Sequence, residues 1–181
     1  MNVEEIEIIK KAKNGNTSDI ANIINNNIQS MYRVAFSILK NEDEMLDAIS
    51  NTVVIVFEKI STLKYEEYFK TWLTKILINE CYKILKHSKK VLYFENSALE
   101  NSSYTDKYED VDVKRVISKL DKDLKQIVLL YYFEDFSVNE ISKILRIPAG
   151  TVKSRLYRAR EVLKNELLEM ENYVEGGELN G

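Results

Sequence analysis

"SVNEISKILRIPAGTVKSRLYRARE", residues 137–161, holds the pattern on which the fold turns. Ser137 with Glu140 three positions on is a capping box, in which each side chain satisfies a backbone amide that the first turn of a helix leaves open. A helix starting there repeats its apolar residues at Val138, Ile141, Ile144 and Leu145, the three- and four-residue steps of one helical face. Pro148 disfavours helix at Ile147 yet suits the first turn of a new helix, so "RIP" is a tight break. Beyond it Val152, Leu156, Ala159 and Leu163 form a second inward stripe. A short helix, a brief turn and a second helix with a cationic outer face make the helix-turn-helix pattern.

The outer face of that second helix carries Lys153, Ser154, Tyr157 and Arg158, flanked by Arg155 and Arg160. Arg and Lys donate to guanine edges or to phosphates, and Ser and Tyr can reach either. Gly150 and Thr151 expose backbone N–H groups at the helix N-terminus, which can bind phosphate through the helix dipole. A lone basic helix is, more often than not, a solvated surface helix. Here capping box, break and basic helix stand in register, which favours nucleic acid.

That choice runs against the net charge. The 181 residues hold 26 Lys+Arg against 29 Asp+Glu, a balance of -3. The charge is segregated, however. Lys143 to Lys164 contains seven bases and one acid, and Lys83 to Lys90 contains four bases and no acid. Two local basic patches, one in each half, are hidden by an acidic remainder.

Composition sets the wider frame. A hydrophobic fraction of 45% over this length is enough for one core or two small ones. One Pro and five Gly favour a mostly helical chain. The start, Met-Asn-Val-Glu-Glu, has acids where a signal peptide needs bases, and the apolar run Val53–Phe57 is far too short to span a bilayer. A cytoplasmic protein is expected. Cys81 and His87 are single, which leaves no disulfide, no Cys/His metal cluster and no Ser/His/Asp constellation; Cys81 reads as a packed thiol and His87 as a surface residue. Neither cofactor, metal nor small-molecule substrate is expected.

The rest of the chain is periodic. Ile20, Ile23, Ile24, Ile28, Met31, Tyr32, Ala35, Ile38 and Leu39 mark one long amphipathic helix. "NEDE" (41–44) ends it and caps the next, with Asn41 as N-cap. That helix, roughly 42–60, places Leu46, Ile49, Val53, Val56 and Ile60 on one side and leaves Asp47, Ser50, Asn51, Val54 and Glu58 for other contacts. A polar break around "KYEEY" (64–68) precedes a helix over about 68–88 that includes Phe69, Trp72 and Asn79. Trp72 and Phe69 suit core packing. Asn79, an amide amid Ile76, Leu77 and Ile78, suits either a base edge or an internally bonded core. Lys83, Lys86, Lys89 and Lys90 follow, as phosphate contacts or as a helix end that complements the dipole. Residues 91–112, with six acids, one base and no sustained period, read as a linker. A short helix near 112–119 and an apolar one over 122–133 come next, and "EMENYVEGGELNG" at the end reads as a frayed acidic tail. The expected fold class is all-α: two small helical domains joined by a flexible acidic linker, the C-terminal one a helix-turn-helix. The domains are 10–90 and 112–170, the linker 91–111 and the tail 171–181.

At this point the residues resemble a family. "LLYYFEDFSVNEISKILRIPAGTVKSRLYRAREVL" looks like the promoter-binding C-terminal domain of bacterial sigma factors of the extracytoplasmic-function group, and "GTVKSRLYRAR" is its most specific part. "YRVAFSILKNEDEMLDAISNTVVIVFEKI" resembles the family's polymerase-clamping helices, and "FKTWLTKILINECYKILKHSKK" the helix that binds and melts the other promoter element. The resemblance covers about residues 10–168. It implies an initiation factor without catalysis of its own. RNA polymerase core would be met by Asp47, Ser50, Asn51, Val54 and Glu58. The upstream (minus-35) element would be met by Thr151, Lys153, Ser154, Arg155, Tyr157, Arg158 and Arg160. The downstream (minus-10) element would be met by Phe69, Trp72, Asn79, Lys83, Lys86, Lys89 and Lys90, with an unstacked base held beside Asn79 and the 64–68 loop. A membrane-anchored anti-sigma factor is implied as the controlling partner.

The chain departs from the family pattern at four places. Ser50 stands where Gln is expected, Lys83 where Asp is frequent, Tyr131 where an Arg often contacts backbone, and Arg146 in place of the Gly of the turn. Two other readings fit the residues: a free-standing regulator that binds a palindrome without polymerase, and a helical enzyme with an incidental basic helix.

Overall fold

The computed structural model describes residues 3–92 and 119–177, with side chains described over 3–88 and 119–168. Seven α-helices and no strand occur among the described residues. The chain divides into two compact units, Met1–Tyr104 and Thr105–Gly181.

The first unit opens with α1, Val3–Lys13, whose acids Glu4 and Glu5 sit at the positive end of its dipole and whose bases Lys10, Lys11 and Lys13 sit at the other. Ile9 and Ala12 are its buried residues. The chain reverses at Asn14-Gly15, where a φ of 92° is open to glycine without a side-chain clash. Asn16 then caps α2, Thr17–Phe36, its side-chain oxygen accepting from the amides of Ser18 and Asp19. Ile20, Ile23, Ile24, Met31, Val34 and Ala35 are buried along α2. The helix stops at Phe36, three residues before the predicted end, and Ser37 Oγ donates to the Val34 carbonyl at 2.7 Å. Ile38 and Leu39 stay buried in the turn that follows, so their apolar spacing marked core and not helix.

Asn41 caps α3, Glu42–Lys59, as expected, accepting from the Glu44 amide at 3.1 Å. The buried stripe of α3 is Met45, Ala48, Ile49, Thr52 and Val56. Leu46, predicted to lie on it, is 41% exposed. The reason is register: Met45 lies one position, about 100° of helix rotation, from Leu46, and it is the Met45 side that meets α2 and α4. Thr52 enters this apolar face at no cost in unmade bonds, because its hydroxyl donates to the Ala48 carbonyl at 2.7 Å. Two 3-10 turns, Ile60–Thr62 and Glu66–Tyr68, lead into α4, Phe69–Leu92, which runs four residues past its predicted end. Burying Leu73, Leu77 and Ile78 of α4 contributes roughly 1.5–3 kcal/mol each. α2, α3 and α4 pack on one another, and α1 packs on α2 and on both 3-10 turns.

The second unit is built on α5, Lys122–Val128, which widens into a π-helical turn over Leu129–Phe133, its last bond running from the Glu134 amide to the Leu129 carbonyl at 3.1 Å. α6, Val138–Leu145, begins at the predicted capping box, with Ser137 N–H donating to Glu140 Oε2 at 2.9 Å and the Glu140 amide to Ser137 Oγ at 3.3 Å. It ends at Arg146, which stands in the left-handed region. Pro148 starts α7, Ala149–Gly177, and its carbonyl accepts from the Val152 amide. Val152, Leu156 and Ala159 are buried and Leu163 partly so, as the stripe predicted. α5 and α6 both pack on α7. Leu120, Val128 and Ala159 form a buried cluster, with Leu124, Phe133, Val162 and Leu163 packed against it. α7 continues to Gly177 through most of the predicted tail, because Leu, Glu, Met and Asn follow Lys164 without a Pro or Gly until Gly176. The predicted 112–119 helix, apart from Lys119, which lies in a turn, and all of the linker but Val91 and Leu92 lie outside the described residues.

Candidate nucleic-acid and polymerase interfaces

The face of α7 away from its stripe presents Lys153, Ser154, Tyr157 and Arg158, all exposed, with Tyr157 at 63%. Thr151 is half-buried, and its carbonyl accepts from Ser154 Oγ at 3.0 Å. Lys153 and Arg158 make no ion pair among the described residues. The two flanking arginines are held from outside the helix. Arg155 Nη2 lies 2.7 Å from Asp123 Oδ2, which ties it to α5 at the edge of this face. Arg160 Nε donates to the Tyr132 hydroxyl at 2.8 Å and its guanidinium carbon lies 6.0 Å from the Tyr132 ring centre. The Tyr132 oxygen favours the charged guanidinium and raises its pKa further. Tyr131 packs edge-on against Tyr132, at 4.9 Å and 81°.

In the first unit, Asp47, Ser50, Asn51, Val54 and Glu58 recur at helical steps and are all exposed on α3, Val54 at 55%. Leu46 and Phe57, each 41% exposed, border them. This face thus mixes two carboxylates with three exposed large apolar side chains and carries no cation of its own among the named residues.

α4 gathers the remaining predicted residues. Phe69 is 2% exposed and Trp72 half-buried, their rings 6.1 Å apart. Phe69 thus lies in the core, at the start of α4 directly after the turn. Asn79 is half-buried between two sides of the helix, next to the fully buried Leu77 and Ile78. Lys83 is exposed but pairs with Glu80 at 2.6 Å, and Lys86 is exposed. The side chains of Lys89 and Lys90 lie outside the described residues. Ser88 Oγ donates to Glu44 Oε1, which fastens this end of α4 to the first turn of α3. Cys81 is buried, and His87 is exposed.

The 64–68 loop, expected beside the base, holds two tyrosines that the residue pattern did not name individually. Tyr65 and Tyr68 bracket the 3-10 turn at 59% and 47% exposure, edge-on to each other at 6.2 Å and 80°. Exposed aromatic rings are one of the surfaces on which bases can stack. Asp123 and Tyr132, the partners of Arg155 and Arg160, also escaped notice, because the pairs span 32 and 28 positions. No group of His, Cys, Asp and Glu able to hold a metal ion occurs among the described residues.

Comparison with known proteins agrees with this layout. The family model described as Sigma-70 region 2 matches residues 23–91, and that described as Sigma-70, region 4 matches residues 110–163. The chain is 30% identical over 159 residues to RNA polymerase sigma factor SigV of Bacillus subtilis, covering 87% of this chain and 96% of that one. It is 24% identical over 180 residues to the ECF RNA polymerase sigma factor SigW of the same organism, covering 90% and 96%. The solved structure of the sigma factor RpoE in complex with the anti-sigma factor NepR from Bartonella quintana matches with a TM-score of 0.72 at 22% identity, covering 83% of this chain and 98% of that one. Two region models in order along the chain and a relative matched over nearly its whole length lead to one conclusion: the chain belongs to the sigma-70 family of RNA polymerase sigma factors, in the extracytoplasmic-function group.

Proposed function

We propose that the protein's surfaces divide the work of initiation as follows. The exposed face of α3, Asp47, Ser50, Asn51, Val54 and Glu58, docks on core RNA polymerase. α7 enters the major groove of the minus-35 element, with Lys153, Tyr157 and Arg158 reaching inward and Thr151, Arg155 and Arg160 along the phosphates. α4 and the Tyr65–Phe69 turn read and open the minus-10 element. Asn79 and the two tyrosines take an unstacked base, and Lys83, Lys86, Lys89 and Lys90 hold the backbone. Residues 10–90 and 112–170 act as separate modules joined through 91–111. The factor adds no catalysis of its own and works in the cytoplasm. Its partner in the resting state is an anti-sigma factor held at the membrane. The Bartonella RpoE structure, solved with the anti-sigma factor NepR, supports an anti-sigma factor as the partner, and the family resemblance alone implies its anchoring at the membrane.

One observation carries the reading: each unit has its own exposed set of groups suited to nucleic acid, cations with a tyrosine on α7, and two tyrosines in the turn before α4 with lysines along that helix. A free-standing regulator needs the first and not the second. Capture of a base offsets the few kcal/mol that unstacking costs, so opening needs no ATP.

The test is reconstitution with core polymerase. The protein should co-purify with it and direct transcription from a matched promoter, and tight promoter binding without polymerase would instead support the free-standing regulator. Asn79→Ala should leave polymerase binding intact and lower the yield of open complex, read by permanganate reactivity of thymines near the start site. A template pre-melted by mismatches should restore its transcription. Equal defects on both templates would remove Asn79 from the melting step.

A further inference from the structure

α1 ends against the turn that carries the two exposed tyrosines. Lys13, its last residue, places Nζ 2.5 Å from Glu66 Oε1, 53 positions away. Both side chains are largely shielded, at 20% and 19% exposure. The Lys13 ammonium holds the Glu66 carboxyl below the usual carboxylate range, and a backbone hydrogen bond acts in the same direction. α1 is itself anchored, since Ile9 and Ala12 are 1% and 0% exposed and the helix packs on both 3-10 turns. It lies before residue 23, where the region 2 match begins.

The turn needs such a support. A three-residue 3-10 helix has few internal hydrogen bonds of poor geometry, here Tyr68 N–H to the Tyr65 carbonyl at 3.2 Å. Its two rings are 59% and 47% exposed, so about half of each lies outside the packing of the turn. Every conformation the free turn samples must be given up when a base stacks on it, which weakens capture and blurs the difference between one base and another. An ion pair from a rigid helix end to the residue between the rings removes that freedom beforehand.

We infer that Lys13 is a positioning residue for the base-reading turn: by pinning Glu66 to the end of α1 it sets how Tyr65 and Tyr68 meet an unstacked promoter base. The inference rests on the proposed role of the Tyr65–Phe69 turn. Its consequence is that promoter selectivity depends on a helix outside the matched region.

The experiment uses the full chain with core polymerase and four promoters that differ only in the base captured from the minus-10 element. Open complex is read by permanganate. Lys13→Met should lower discrimination between the best base and the others about three- to fivefold. Its polymerase binding and its transcription from a pre-melted template should stay at the parent level. Lys13→Arg should keep most of the discrimination, Glu66→Gln should lose it, and the exchange Lys13→Glu with Glu66→Lys should recover it. A purely structural ion pair would lower the unfolding temperature of these variants without changing the ratio among bases, and that result would overturn the inference. So would equal loss on the pre-melted template. Replacing Tyr65 and Tyr68 by Ala separates the two levels. Unchanged discrimination there removes the turn from base reading altogether. Lost discrimination there, with none lost in Lys13→Met, removes only Lys13.

Discussion

Arg146 stands at φ 56° and ψ 41° at the end of α6, in the left-handed region. A side chain with a Cβ costs about 1–2 kcal/mol there. Its geometry is imposed from both sides: its own amide donates to the Ser142 carbonyl, Ile147 N–H reaches the same carbonyl at 3.2 Å, and Ser142 Oγ donates to the Ile147 carbonyl at 2.6 Å. The Arg146 side chain is exposed, so removing it uncovers no core. Glycine relieves the strain but loses roughly 0.5–1 kcal/mol through its greater freedom when unfolded. Arg146→Gly should therefore stabilise the second unit by about 0.5–1 kcal/mol, and Arg146→Ala, which keeps a Cβ, should not. Urea unfolding of the full chain resolves the effect. Trp72 is the single tryptophan and lies in the first unit, so its fluorescence follows that unit while far-UV dichroism follows both. The dichroism of the Gly variant should lag by about 0.5 M urea, given a slope of about 1–2 kcal/mol per molar for so small a unit. The tryptophan transition should not move. A Gly variant no more stable than the Ala variant would refute the backbone-strain argument. Promoter affinity should move the other way and equally in both variants, because each removes one cation beside the turn.

Reversing two exposed carboxylates on α3, Asp47→Arg with Glu58→Arg, should abolish co-purification with core polymerase at unchanged helical content, since surface charges rarely decide folding. Arg158→Ala should cost on the order of 1–3 kcal/mol of promoter binding and relax preference at one base pair. Arg160→Ala should weaken all sequences alike, and Tyr132→Phe, which removes the hydroxyl that holds it, should reproduce part of that uniform loss. A loss confined to one base pair in Arg160→Ala would reverse the two roles. The depressed Glu66 carboxyl stabilises the fold above its ordinary value of 4.5, and that contribution is lost as pH falls through the lower, folded value. Acid titration of Trp72 fluorescence should therefore show a steeper fall below pH 4.5 in the parent than in Lys13→Met.

What the residues disclosed and what they hid divides along sequence distance. The capping box at Ser137 and Glu140 and the Asn41 cap follow from bonds made within one turn, so residue type and spacing suffice to place them. The stripe of α7 was legible because charged neighbours leave no second apolar face. α3 was ambiguous: "MLDAISNTVVIVF" offers two stripes one residue apart, and only the packing of α2 and α4 selects the one holding Met45 and Thr52. A threonine at 0% exposure is invisible to hydropathy, since its hydroxyl is satisfied within its own helix. The turn at Ile38 and Leu39 misled for the opposite reason, because apolar spacing reports burial and not backbone form. α1 has only Ile9 and Ala12 buried, too little for a periodic signal, and its partner Glu66 lies 53 residues on. The four departures from the family pattern were visible as letters. That one of them, Arg146, forces a left-handed residue required φ and ψ.

The arginines of α7 differ in their contacts within the protein. Charge alone would make all four cations equivalent, but their partners do not. Arg160 has its Nε committed to Tyr132, which leaves only the outer N–H groups of the guanidinium for a ligand. Arg155 already has a carboxylate at 2.7 Å, and a phosphate must compete with Asp123 for it. Arg158 has no such commitment among the described residues and keeps its whole donor fork for the two acceptors of a guanine edge. A guanidinium held from behind loses little freedom when it meets a phosphate, so it anchors any sequence. A free one gives up its freedom at the moment of contact and recovers the loss only where both acceptors are in place. On the proposed docking of this face, selectivity is expected from Arg158, which has no ion pair among the described residues, and register from Arg155 and Arg160, which are restrained.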